Sequence, residues 1–278
     1  MTNRPALVAP AFFALALVAG VAPAAADLYR RADGAEIEAK VLDARGCAPL
    51  AIVSHGLGGS LAGNATLATA LNRAGFRVVV PSHAESGRDL LIRGIGGGRG
   101  GIDRAASDRA AHLARQADLD TILAVEEKRC RVPFKVLAGH SMGARTALVE
   151  AGAASTSGIE GRDRFDAYIA ISPLGEGPGF FPAGAMKAIR KPVLMITGTE
   201  DRSVGGTYET RLSSYEGLPP GRKRLAVIEG ATHRALGGRG DPQVGAMVGT
   251  LAVEFLQQLR PGPWAAAGRR AGVTIDEK

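Results

Sequence analysis

Gly139-His140-Ser141-Met142-Gly143 is the stretch on which the reading of this chain turns. It has the G-x-S-x-G form of a nucleophile elbow, in which a serine sits on a tight turn between a strand and a helix. Both ends must be small because the turn brings backbone against backbone. The motif alone says little. With 38 glycines and 12 serines in 278 residues, chance supplies about 0.2 matches. Context gives it weight. Phe134 to Ala138 is a short apolar run after Pro133, which reads as a buried strand. Ala144 to Ala154 is rich in alanine and free of proline, which reads as a helix.

Working outward, strands and helices alternate along the whole chain. Strands are expected at 35–42, 50–54, 76–80, 134–138, 167–171, 193–197 and 225–228. Helices are expected at 64–73, from Asp103 to about Lys128, at 208–215, and after Asp241. The last has Pro242 in its first turn and an apolar face of Val244, Met247, Val248, Leu251, Phe255 and Leu259. The order predicts an α/β fold with a mostly parallel sheet and helices on both faces. Residues 173–190 are too few for a large lid domain. The main domain is expected over 27–260, with a loose tail at 261–278. In such a sheet ligands bind beyond the carboxyl ends of the strands. The loops of interest therefore begin at His55, Ser82, Ser141, Ser172, Gly198 and His233.

The N-terminus reads as an export signal. Arg4 precedes an apolar run from Ala6 to Val21, and Ala24-Ala25-Ala26 suits a small-residue cleavage site, with the cut after Ala26. The competing reading is a retained anchor, since 6–26 carries no charge. Cleavage predicts a secreted or periplasmic protein with no stable membrane span. Cys47 and Cys130 are the only cysteines, and they precede two strands that should be neighbours. They are expected to form a structural disulfide at the sheet edge opposite the chemistry. The net charge is +7, but the basic residues are scattered and not interleaved with aromatics. That pattern reads as solvated surface, not as a nucleic-acid site.

A serine hydroxyl needs a base to become a nucleophile. In this kind of elbow the partners follow in the order serine, acid, histidine. Of the five histidines, only His233 comes after Ser141, and it lies just past a strand. The acid must orient the imidazole. Asp201, leaving the carboxyl end of a strand, is chosen, with Glu176 as the alternative; Asp166 lies at the wrong end. The backbone N–H groups of Leu57 and Met142 are expected to hold the oxyanion. His83, Phe180 and Phe181 are candidate pocket residues, the phenylalanines (with Met186) as an apolar wall. The alternatives are a hydrogen-bonded structural histidine at 83, the favoured reading there, and local core packing of the phenylalanines, which stands level with the wall. His55 and His140 are expected to hold loop backbone, and His112 to lie on the surface. Gly96 to Gly101 matches G-x-G-x-x-G, but the acidic residues about twenty positions on fall inside a long helix rather than after a strand, so no dinucleotide site is predicted. No cofactor and no metal are called for.

At these residues the chain resembles the α/β-hydrolase family. The marks are His55-Gly56-Leu57-Gly58-Gly59, Gly139 to Gly143, Gly198 to Asp201 and Gly230 to His233. Pro81-Ser82-His83 and Arg115-Gln116-Ala117-Asp118-Leu119 are similar to patterns of its dienelactone-hydrolase-like and platelet-activating-factor-acetylhydrolase-like branch. The resemblance implies an eight-stranded sheet, a Ser141–Asp201–His233 triad, and ester hydrolysis of a small molecule without a metal. Dienelactone hydrolases carry a cysteine nucleophile, whereas this chain has Ser141, which favours ordinary carboxylic esters over lactones. Amide hydrolysis, acyl transfer and polyester hydrolysis on the same triad, and a non-catalytic binding role, stay open at this point.

Overall fold

The computed structural model describes residues 27–98, 100–177, 179–203, 206–259, 264, 267–268 and 270–278. The expected export signal, 1–26, lies outside them.

The apolar run of β3 (Leu50–Ser54) is buried at all five positions. Successive side chains of a strand point to opposite faces. Ile52 therefore joins one core layer and Ala51 and Val53 the other. β5 (Lys135–His140) divides in the same way, with Leu137 on one face and Val136 and Ala138 on the opposite one. Runs of this kind need cover on both sides. On one side lie Leu119 and Ile122 of α4 (Arg109–Arg129) and Ala147 and Leu148 of α5 (Met142–Glu150). On the other lie Leu67 and Leu71 of α1 (Ala65–Arg73) and Val248, Leu251 and Phe255 of α8 (Pro242–Gln258). The start of α8 follows its sequence: Asp241 Oδ1 accepts from Gln243 N at 2.8 Å and Pro242 occupies the first turn.

The remaining strands are β1 (Asp27–Arg30), β2 (Glu36–Leu42), β4 (Arg77–Pro81), β6 (Ala167–Ile171), β7 (Val193–Glu200), β8 (Lys223–Thr232) and β9 (Val273–Glu277). Their order in the sheet is β1-β2-β4-β3-β5-β6-β7-β8-β9. The run from β4 through β8 is parallel, while β1, β2 and β9 are antiparallel additions.

Among the described residues the sheet has nine strands, not the expected eight. β1 lies outside β2, and the tail expected to be loose contributes β9 on the far edge, paired with β8 from Val273↔Ile228 to Glu277↔Arg224. Val273 and Ile275 pack on the core while Thr274 and Asp276 alternate with them. The long helix expected from Asp103 is broken into α3 (Gly101–Ala106) and α4, because Asp108 caps a fresh start, its Oδ1 accepting from Ala111 N at 2.7 Å. The segment before it, where no helix was expected, holds α2 (Arg88–Gly96). No large lid is present among the described residues.

Cys47 and Cys130 form the expected disulfide, with Cα atoms 5.7 Å apart. They precede β3 and β5, which pair directly and in parallel. The bond therefore ties the amino-terminal edge of the sheet, and the carboxyl edge is left for the loops. No helix among the described residues is long and apolar enough to cross a membrane.

Candidate active site

Five strands end one residue before a side chain of interest. Ser54 ends β3 before His55, His140 ends β5 before Ser141, and Ile171 ends β6 before Ser172. Glu200 ends β7 before Asp201, and Thr232 ends β8 before His233. A parallel sheet thus delivers residues far apart in sequence to one edge.

Ser141 has φ 54° and ψ −114°, a backbone rarely taken by a residue with a side chain. The turn persists because its neighbours over-determine it. Ser141 N donates to Ile171 O at 2.9 Å. A Cβ on Gly139 would lie 2.2 Å from Gly143 O, and one on Gly143 would lie 2.0 Å from Ser54 O. The two glycines of the motif are thus required by contact.

Ser141 Oγ lies 3.2 Å from His233 Nε2. His233 Nδ1 lies 2.8 Å from Asp201 Oδ1. Asp201 is fully buried, and its Oδ2 accepts from Thr197 Oγ1 at 2.8 Å and faces Arg211 Nε at 3.1 Å. Burial pushes this carboxyl up, but the His233 hydrogen bond and the Arg211 charge outweigh burial and hold it below the ordinary carboxylate range. Ser172 Oγ stands 2.7 Å from His233 Nδ1 and also hydrogen-bonds the Asp201 carboxyl. Asp166 lies at the opposite edge, accepting from Lys135 N. Glu176 holds its own loop instead, accepting from Gly184 N at 2.7 Å and Met186 N at 2.8 Å.

The loop after β3 crosses in front of the elbow. A Cβ on Gly56 would meet His140 Nδ1 and Ser141 Cβ, each at 3.3 Å. Leu57, next along, lines the same cavity as Ser141. Met142 opens α5, so its N–H has no carbonyl four residues back within the helix. The positive end of the helix dipole lies there too. His55 and His140 serve backbone: His55 Nε2 donates to Ser82 O at 2.6 Å, and His140 Nε2 donates to His233 O at 2.9 Å. Burial pushes the His140 imidazole down to about 3, so its ring is neutral.

The cavity beside Ser141 measures about 360 Å³. Its apolar wall is Leu57, Leu91, Ile102, Ala106 and Leu174. His83, Phe180 and Phe181 are not among its lining residues, and the structural-histidine and core-packing alternatives hold instead. His83 is sealed beneath the β3 loop, with Nδ1 2.7 Å from Asp118 Oδ2 and Nε2 3.0 Å from Ser54 Oγ. Phe180 packs inside against the His112 ring, under the Arg145 guanidinium, and Phe181 and Met186 belong to the core. Their apolar surface is taken up by that core and is not offered to a ligand. His112, expected on the surface, is buried with Nε2 3.0 Å from Ala106 O. The residues missed are Ser172, Thr197 and Arg211 around the imidazole and carboxylate. Only Ser172 had a signal, its place at a strand end. Among the described residues no three His, Cys, Asp or Glu side chains gather as a metal site.

No protein-family model matches the chain, and no curated protein matches it in sequence. Solved structures do match. An alpha-beta serine hydrolase homologue from Coxiella burnetii is 21% identical, with 85% of this chain and 99% of that one covered and a TM-score of 0.58. A putative dienelactone hydrolase from Klebsiella pneumoniae is 14% identical, covering 84% and 98% with a TM-score of 0.63. Est1E from Butyrivibrio proteoclasticus is 18% identical, covering 84% and 100% with a TM-score of 0.55. At these identities the likeness is one of fold.

Proposed function

We propose that this chain, whose fold is that of the α/β hydrolases, is an exported serine esterase acting on small carboxylic esters. The observation that carries the reading is the run Ser141 Oγ–His233 Nε2–Asp201, at 3.2 and 2.8 Å, opening on a cavity beside a helix N-terminus.

In this reading His233 Nε2 takes the proton of Ser141 as Oγ attacks the ester carbonyl. The carbonyl oxygen becomes an oxyanion facing the N–H groups of Leu57 and Met142. Asp201 holds the Nδ1–H tautomer and stabilises the imidazolium. As the C–O bond breaks, His233 returns the proton to the leaving alcohol. Water, deprotonated by His233, then attacks the acyl-enzyme, and Ser141 leaves with that proton as the acid departs. Protein groups and water account for every proton. The cavity volume suits a short or medium acyl group against Leu57, Leu91 and Leu174.

Export is supported by the apolar 6–21 sequence with its alanine site and by the Cys47–Cys130 disulfide, a bond favoured outside the cytosol. The deciding experiment is hydrolysis of p-nitrophenyl esters of increasing chain length, with matched p-nitroanilides in parallel. Wild type should turn over esters and accept a fluorophosphonate label on Ser141, and Ser141→Ala should do neither. Ester hydrolysis undiminished in Ser141→Ala would overturn the reading.

A further inference from the structure

A second serine–histidine–aspartate run lies behind the first. His83 Nδ1 is 2.7 Å from Asp118 Oδ2 and its Nε2 is 3.0 Å from Ser54 Oγ. All three residues are buried, so no substrate reaches Ser54. Its hydroxyl is also engaged from the other side, by Arg115 Nη1 at 2.8 Å.

The protons along this run have one consistent direction. Burial, aided by the Arg115 and Arg31 charges, holds His83 well below its ordinary value, so the ring is neutral. Nδ1–H donates to Asp118, leaving Nε2 to accept from Ser54. Ser54 in turn accepts from Arg115. The second proton on Arg115 Nη1 goes to His55 O, at 2.7 Å. Arg115 Nε donates to Ser86 Oγ at 2.8 Å, and Ser86 O accepts from Gly58 N at 3.0 Å. The guanidinium therefore grips the turn at both ends, through His55 and through Ser86 to Gly58, with Leu57 between them.

Burying Arg115 in this way carries a cost. Arg115 is fully buried, has no ion pair among the described residues, and its Nη2 has no hydrogen-bond partner there. Burial pushes its pKa down to about 9. A buried cation without a direct counter-charge is costly. What it does is fix the position of a backbone segment that the elbow also touches, since a Cβ on Gly143 would meet Ser54 O and His55 O.

We propose that Asp118, His83, Ser54 and Arg115 form a buried positioning chain that sets the Leu57 N–H against the Met142 N–H for the oxyanion. The proposal rests on the esterase reading above. These are positioning residues, because none touches substrate. Their effect belongs to the transition state, where the oxyanion exists, and not to ground-state binding.

Ser54→Ala removes the hydroxyl that joins His83 to Arg115 and little else. The expected result is a fall in kcat of about ten-fold, less than the loss of an oxyanion donor itself. KM should stay within about two-fold, and inhibition by phenylboronic acid, which forms a tetrahedral adduct on the serine, should weaken with kcat. A purely structural role would lower the thermal midpoint and leave kcat and boronate affinity of the folded enzyme unchanged, and that outcome overturns the proposal. If Ser54→Ala does not fold, Ser86→Ala, which unties only Arg115 Nε and the His83 carbonyl, is read by the same criteria. A wild type that neither labels nor hydrolyses esters would sink the esterase reading; an active wild type with an unaffected folded variant sinks only the positioning chain.

Discussion

Arg211 Nε lies 3.1 Å from Asp201 Oδ2, on the carboxylate oxygen that His233 does not use. Both side chains are buried. The contact is Coulombic, since the buried Nε–H is not aligned on any acceptor among the described residues. Burial raises the Asp201 carboxyl, and the His233 hydrogen bond with the Arg211 charge more than offsets it. A carboxyl depressed in the fold contributes stability above its unfolded pKa, near ~4, and loses it as the pH falls through the lower folded value. Arg211→Gln strands a buried carboxylate. The expected loss at pH 7 is about 3 kcal/mol. That loss should shrink below about pH 5, where a proton neutralises the stranded group. Urea unfolding at both pH values checks this, and an equal loss at each would contradict it.

Asp201 and Glu176 compete as the acid in sequence but not in space. Asp201→Asn keeps the shape and lets the imidazole take the wrong tautomer, so kcat should drop by about 10⁴-fold with little change in fold. Glu176→Gln should leave kcat near wild type. It should instead lower the thermal midpoint, because the carboxylate caps the Gly184 and Met186 N–H groups. Steady-state kinetics with thermal melts on both variants separates the roles. An inverted pattern would move the acid to Glu176.

Much of this arrangement was legible in the chain because a parallel sheet converts strand ends into one site. Ser141 is marked by its G-x-S-x-G motif, His233 by being the one histidine after it in the chain, and Asp201 by its place just past a strand end. The disulfide was found by asking which cysteines precede neighbouring runs. What was not legible came from contacts with no local period. Arg211 lies on α6 (Tyr208–Glu216) and reaches Asp201 only through the tertiary fold. Phe180 and Phe181 fit a pocket wall and a core equally well in sequence, because aromatic side chains serve both, and only the tertiary fold assigns them to the core. Leu91, which does line the cavity, sits between 81 and 101, where no helix was expected, and Ile102, which also lines it, follows directly. The β9 strand was missed although Val273 and Ile275 alternate with Thr274 and Asp276, a period-two signal at the end of the chain.

The elbow glycines give a sharper test of geometry than of chemistry. Gly143 has an ordinary helical backbone, so alanine there suffers from contact alone. Its Cβ would sit 2.0 Å from Ser54 O and 3.0 Å from His55 O, both of them backbone. Neither atom is free to swing aside. Gly143→Ala should therefore cost about 2–3 kcal/mol of stability, the upper range for overpacking. It should also cut kcat, because the displaced backbone is the one carrying Leu57. Melting curves and steady-state kinetics check both. An alanine variant as stable and as active as wild type would mean that β3 and α5 sit further apart than described.

The Cys47–Cys130 bond closes a loop with a sequence separation of 83 and lies at the amino-terminal edge of β3 and β5. Ser141 lies beyond the carboxyl end of β5, so the whole length of that strand separates the bond from the Ser141 side chain. Cross-linking a loop this long restricts the unfolded chain, with a chain-entropy contribution of about 4.5 kcal/mol. The Cys47→Ser, Cys130→Ser double variant should unfold at lower urea by a margin equivalent to about 2–4 kcal/mol, and wild type in reductant should follow it. Activity of the folded fraction at 25 °C should be unchanged, because the bond constrains the end of the sheet that carries no functional loop. Unfolding curves with and without reductant, alongside kcat at low denaturant, measure the two effects separately. A stable variant with impaired kcat would place the bond's influence at the site and contradict this assignment.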